Sequence, residues 1–119
     1  KIAEKKVKLI ITTDHGTIRV KRPFKIIGDR NVNTNLRYKQ GKNLNYDGNK
    51  VLECPKPERF FLPKSNVSTS YVFALEDQFF AYPNNYNYYV NFYKDTFQHG
   101  GVSLEEMVIP LIFLTSKNA

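Results

Sequence analysis

Cysteine is almost missing from this chain. A single thiol, Cys54, excludes an intramolecular disulfide, so the sequence gives no reason to expect an oxidising compartment and the cytoplasm is the expected location. Long apolar runs are missing as well. None approaches the roughly 18 residues of a membrane span, mean hydropathy is −0.48, and nothing at the N-terminus has the form of a signal peptide, so no membrane partner is expected. Acidic residues are scarce in the first part: residues 1–64 carry 16 Lys and Arg against 6 Asp and Glu, whereas residues 65–119 carry 2 against 5. Such a basic half attracts phosphoesters or nucleic acid without choosing between them, and the same lysines equally serve to keep a tyrosine-rich chain in solution. Internal repeats and low-complexity segments are also lacking. What is present, 119 residues of which 41% are hydrophobic and 14% aromatic, suffices for one core, in one small domain or a piece of a larger one.

The charged stretch from Lys1 to Lys8 reads as the last turn of a helix. From Val7 the chain turns β-branched, and Leu9, Ile10 and Ile11 are apolar without alternation, the pattern of a central strand buried on both faces. This strand ends at Asp14-His15-Gly16. A second strand runs from Thr17 to Arg22, interrupted by Pro23. Residues 28–58 are rich in Asn, Gly, Lys and Pro and predict a long excursion, with short strands at Leu36–Tyr38 and Val51–Glu53. Arg59–Leu62, Ser70–Leu75 and Gln78–Tyr82 read as short antiparallel strands, the last two joined by a turn at Glu76-Asp77. Tyr86 to Phe97 has Tyr89, Phe92, Tyr93 and Phe97 at helical spacing, yet its aromatic content also suits a strand. Ser103 and Glu106 have the spacing of a capping box that opens a short helix through Met107. Val108 to Thr115 then predicts a buried strand, with Pro110 marking an edge or a bulge.

Both histidines precede glycine, in Asp14-His15-Gly16 and in His99-Gly100-Gly101. Open α/β sheets bind ligands at the carboxyl ends of their strands, and carboxylate oxygen with imidazole nitrogen is a donor set zinc accepts. Asp14 and His15 are therefore candidate metal ligands, with His99 supplying another from a second loop. Read as plain turns, the same His-Gly dipeptides need no ligand. Arg37, Lys39 and Lys42 lie on the excursion and are candidates to grip a phosphate, or else belong to a solvated surface. The tyrosines from Tyr82 to Tyr93 suit either packing between core layers or stacking on bases.

Residues Ile10-Ile11-Thr12-Thr13-Asp14-His15-Gly16 resemble the Asp-His metal motif of the alkaline phosphatase superfamily. Phe97-Gln98-His99-Gly100-Gly101-Val102-Ser103-Leu104-Glu105-Glu106-Met107-Val108-Ile109-Pro110 resembles the C-terminal signature of PglZ domains. Asn35-Leu36-Arg37-Tyr38-Lys39 and Gly41-Lys42-Asn43-Leu44 are similar to PglZ output domains fused to a response-regulator receiver, the PorX type linked to type IX secretion. The resemblance implies an α/β architecture in which residues 1–119 form the C-terminal portion of an alkaline phosphatase-like fold, a central buried strand plus short antiparallel strands. It also implies two zinc ions, one held by Asp14 and His15 and the other by His99, and hydrolysis of a phosphomonoester, phosphodiester or nucleotide by the complete domain. The family's nucleophile, a threonine or serine, lies upstream of the Asp-His pair. Thr12 and Thr13 are not that residue, no catalytic residue is assigned within 1–119, and this stretch alone is expected to be inactive. The expected partners are the remainder of the parent chain and a second copy in a homodimer. Two rival readings are a non-catalytic signalling module with a structural metal site and a nucleic-acid binder acting through the basic half.

Overall fold

The computed structural model describes residues 1–29 and 32–117. It is a strand-rich mixed fold with a few short helices, consistent with an α/β alkaline phosphatase-like domain. In chain order, β1 (Lys8–Thr12), β2 (Ile18–Arg19), β3 (Arg22–Lys25), β4 (Tyr38–Gly41), β5 (Val51–Cys54), β6 (Ser70–Ala74) and β7 (Gln78–Ala81) lead to helix α1 (Tyr86–Tyr93). Then follow β8 (Phe97–Gln98), helix α2 (Leu104–Met107) and β9 (Leu111–Thr115).

Among the described residues, the strands form four small sheets. β6 lies between β4 and β5, antiparallel to both, so its apolar run Tyr71-Val72-Phe73-Ala74 is hydrogen-bonded on two sides. β3 runs parallel to β7. Pro23, expected to interrupt this region, sits inside β3 opposite Phe79. A strand paired on one side tolerates a proline whose missing N–H faces away from its partner. Phe24, Ile26, Val51, Val72, Ala74 and Phe80 from these two sheets make one buried cluster. Ile18, Val20 and Phe79 make a second, against which Val90 and Tyr93 of α1 pack.

That packing decides the open question over residues 86–97. Tyr86–Tyr93 is a helix, with Tyr88 stacked on Phe92 and Tyr89 on Tyr93 one turn apart, while Phe97 leaves the helical register to begin β8. Other expectations give way. Pro57–Phe60 is a 3-10 turn where a strand was expected at Arg59–Leu62, because proline opens the turn and Phe61, with φ of 56°, closes it in the left-handed region. Ser70–Ala74 and Gln78–Ala81 are strands as anticipated, but they do not pair as a hairpin. β6 is taken up by β4 and β5, and β7 by β3.

The greatest departure concerns β1. It pairs antiparallel with β9 along its whole length, from Lys8 opposite Thr115 to Thr12 opposite Leu111, yet the ribbon is not buried. Ile10, Leu111 and Phe113 are 56%, 60% and 67% exposed, and Ile11, Ile112 and Leu114 are exposed as well. Both faces are apolar because the pattern is continuous rather than alternating, and nothing within the described residues covers either face. Apolar surface of this kind associates with whatever else is apolar. The 119-residue chain produced by itself should bind a hydrophobic dye and sediment with concentration-dependent association. Phe113→Lys should lower both while changing stability by no more than about 0.5 kcal/mol, as for other exposed positions; dye fluorescence and sedimentation velocity read the outcome.

Candidate metal centre

The antiparallel pairing of Ile18 with Gln98 and of Arg19 with Phe97 runs the end of β8 toward the turn that follows β1. Two segments far apart in sequence are thereby brought together. The rings of His15 and His99 stack with centroids 3.6 Å apart and planes inclined by 7°. His15 Nδ1 lies 2.7 Å from the Gly16 carbonyl oxygen. A carbonyl only accepts, so Nδ1 carries a proton, and in the neutral ring this tautomer leaves the Nε2 lone pair for a metal. Asp14 Oδ1 is 3.6 Å from that Nε2. The Asp14 carboxylate is largely exposed and His15 half-buried.

The donor types suit zinc, but their directions do not meet at one point. Imidazole lone pairs lie in the ring plane, and two nearly parallel stacked planes do not let His15 and His99 converge on a single ion. Each ring is left to serve a separate ion, as in a two-metal centre. Among the described residues no group of three or more His, Cys, Asp and Glu could hold a metal by itself. The set here is therefore a pair on one side and a single donor on the other, and a tetrahedral zinc site wants four. Thr12, at the end of β1, gives its hydroxyl to the Pro110 carbonyl at 2.7 Å, which ties β1 to the start of β9.

What holds the two histidine loops is Glu106. Sequence reading found it as a helix cap, and it is one: its carboxylate accepts from the Ser103 N–H at 3.1 Å and closes the capping box. It does more. Oε1 accepts from Gly101 N–H at 2.9 Å, Oε2 accepts from the Ser103 hydroxyl at 2.7 Å, and the main-chain carbonyl accepts from Gly16 N–H at 2.7 Å. Arg37 clasps the same carboxylate with Nε at 2.9 Å and Nη2 at 3.0 Å, while its Nη1 donates to the Gln78 carbonyl on β7. Asn35 completes the set, giving Nδ2 to the His99 carbonyl at 3.1 Å and accepting the Arg37 and Tyr38 N–H groups on Oδ1.

The glycines of both motifs answer to this arrangement. A Cβ at Gly16 would stand 2.0 Å from the Glu105 carbonyl oxygen, and one at Gly101 would stand 2.6 Å from Glu106 Oε2. Gly100 has φ of +109° and backs onto the Asn35 amide.

Of the three cations expected to meet phosphate, two are placed otherwise. Arg37 is 0% exposed, with its guanidinium committed to Glu106 and Gln78. Lys39 is buried as well, its ammonium donating to the Asn33 carbonyl at 2.9 Å and lying 4.8 Å from the centre of the Tyr82 ring. The strand β4 and its lead-in carry both side chains inward, where the excursion was expected to face solvent. Lys42, just beyond β4, is exposed.

Paired strands, short helices and a histidine pair at the end of β1 fit an alkaline phosphatase-like domain, a superfamily that usually binds metals. The chain belongs to the PglZ family: the profile of the BREX system PglZ alkaline phosphatase-like domain matches residues 1–114. Among curated proteins none gives a significant match. No helix among the described residues is long and apolar enough to cross a membrane.

Burial alone would raise the Glu106 carboxyl, but the bonds from Arg37, Ser103 and Gly101 outweigh it and hold the group below the usual carboxylate range. Its stabilisation is thus fully present above the ordinary value near pH 4.3 and is lost as pH falls through the lower folded value. Arg37→Met leaves an unpaired buried carboxylate and should cost about 3–5 kcal/mol in urea unfolding at pH 7. The same variant should lack the acid loss that Glu106 gives the wild type. Lys39 behaves oppositely. Burial pushes its ammonium down to about 8 from 10.5, so the folded state gives up this proton before the unfolded state does. Unfolding free energy should rise from about pH 8 to about pH 10, and Lys39→Met should abolish the rise.

Proposed function

We propose that this chain is the C-terminal part of a metal-dependent phosphoesterase domain that hydrolyses a phosphomonoester or phosphodiester, nucleotides included. The observation that carries the reading is the meeting of His15 and His99 at the end of β1, each beside a glycine loop and stacked so that the two rings cannot share one ion. Asp14 and His15 would hold one zinc and His99 the other, with the remaining ligands and the nucleophile supplied by other parts of the domain. Bound zinc would polarise the phosphoryl oxygens and ease deprotonation of the attacking hydroxyl.

The protein's own residues have simpler tasks. The Gly16 carbonyl keeps His15 in the tautomer whose Nε2 can accept a metal, and the His15–His99 stack fixes the two rings against each other. Lys42, exposed just beyond β4, is the one of the three expected phosphate-binding cations left at the surface to meet a substrate phosphate, since Arg37 and Lys39 are buried. The likeness of Asn35–Lys39 and Gly41–Leu44 to response-regulator output domains supports a cytoplasmic signalling setting, and the exposed β1–β9 ribbon supports contact with the rest of the parent chain or a second copy.

In the complete protein, His15→Ala and His99→Ala should each lower bound zinc by about one ion per domain. Each should also cut hydrolysis of bis-(p-nitrophenyl) phosphate by at least about 100-fold, the scale of losing a group that stabilises transition-state charge. Elemental analysis and steady-state rates test this. A wild-type protein that holds no metal and cleaves no phosphoester would sink the proposal and leave the histidines as turn residues of an interaction module.

A further inference from the structure

We infer that Arg37 and Glu106 are positioning residues that set His15 and His99 in register with each other, an inference that rests on the phosphoesterase reading. Glu106 is bonded to the residue after His15 and to the second residue after His99. Its carbonyl holds Gly16 N–H and its carboxylate holds Gly101 N–H, so one side chain and its own peptide link both histidine loops. Neither histidine is held to the other by anything stronger than ring stacking.

A carboxylate on a four-residue helix could rock about its own χ angles; here it does not stand alone. Arg37 reaches it from the lead-in to β4 with two bonds and is itself anchored on the carbonyl of Gln78 at the start of β7, which ties the loops to the strands behind them. Asn35 repeats the link from the same segment through the His99 carbonyl. Chemistry at a metal pair depends on placement to within a fraction of an ångström, and residues one step behind metal ligands typically govern metal affinity by about 10–100-fold.

A pair that only filled the core would behave differently. Buried ion pairs can be exchanged for apolar residues of similar volume with stability kept or raised. An apolar pair cannot hold Gly101 N–H or the Ser103 hydroxyl, so it could restore the fold but not the loops. Glu106→Gln makes a finer cut. The amide keeps one acceptor oxygen but sets an NH2 against the Ser103 N–H and Arg37 Nη2, both obligate donors, wherever it takes the place of Oε2.

The complete protein and its Glu106→Gln, Arg37→Lys and Arg37→Met/Glu106→Leu variants would be compared by zinc competition titration, by kcat and KM on bis-(p-nitrophenyl) phosphate, and by imidazole 1H–15N shifts of the metal-free protein. Glu106→Gln and the apolar double variant should bind zinc about 10–100-fold more weakly. In both, kcat should fall more than KM changes, and the His15 and His99 shifts should move together as the stack opens. Arg37→Lys, which keeps the charge but offers no fork, should fall between them and wild type. Should the apolar double variant fold and bind zinc with unchanged histidine shifts, the pair is core filling and the inference is overturned. If one single variant fails to fold, the double variant decides on the same readouts. A wild type without zinc defeats the phosphoesterase reading, and the imidazole shifts then decide separately: joint movement in Glu106→Gln upholds the clasp, and unmoved shifts overturn it.

Discussion

The Arg37–Glu106 ion pair is the constraint on which the site depends. Both side chains are essentially removed from water, which costs several kcal/mol per ion before any contact is counted. The cost is offset only when every polar atom finds a partner. Here the two carboxylate oxygens take five donors from Arg37, Gly101 and Ser103, and the guanidinium also meets the Gln78 carbonyl. Those partners come from the lead-in to β4, from β7, from α2 and from the loop after His99. Distant segments are thus made to agree on one geometry by a single pair of charges.

Elsewhere the fold is held by smaller units. The two buried clusters join β2, β3 and β5–β7 with α1, and no sheet among the described residues exceeds three strands. The β1–β9 ribbon contributes nothing to these cores and leaves its own apolar residues outward. It nevertheless positions the centre, because Asp14 and His15 follow β1 directly and α2 precedes β9. The bond between the Thr12 hydroxyl and the Pro110 carbonyl closes that end of the ribbon.

Much of the architecture was legible in local pattern. The apolar runs of β1 and β9, the capping box from Ser103 to Glu106 and the strand after Pro110 all follow from period and turn chemistry over a few residues. Asp14, His15 and His99 stood out because they are polar donors next to glycine. Pairing between segments was not legible. Arg37 and Lys39 sit among Asn and Lys in a stretch without periodicity, and nothing local says that their side chains turn inward. The parallel match of β3 with β7 likewise depends on Phe24, Ile26 and Phe80 finding one core, and that is a property of the whole fold. For Glu106 the local signal reached only as far as the capping box, and its burial against Arg37 depends on a segment 69 residues away.

The glycines of the two histidine loops show how backbone space governs the placement of side chains at one remove. Gly16, Gly100 and Gly101 all belong to the segments that resemble the family's metal motifs. In the fold each answers to a protein neighbour: Gly16 to the Glu105 carbonyl, Gly100 to a positive φ against Asn35, and Gly101 to the Glu106 carboxylate. These neighbours are the same groups that fix the histidines. Space left by a missing Cβ therefore acts on the site at one remove, by letting α2 and Asn35 close on loops that a larger side chain would push apart. The glycines and the buried ion pair together determine where Asp14, His15 and His99 stand.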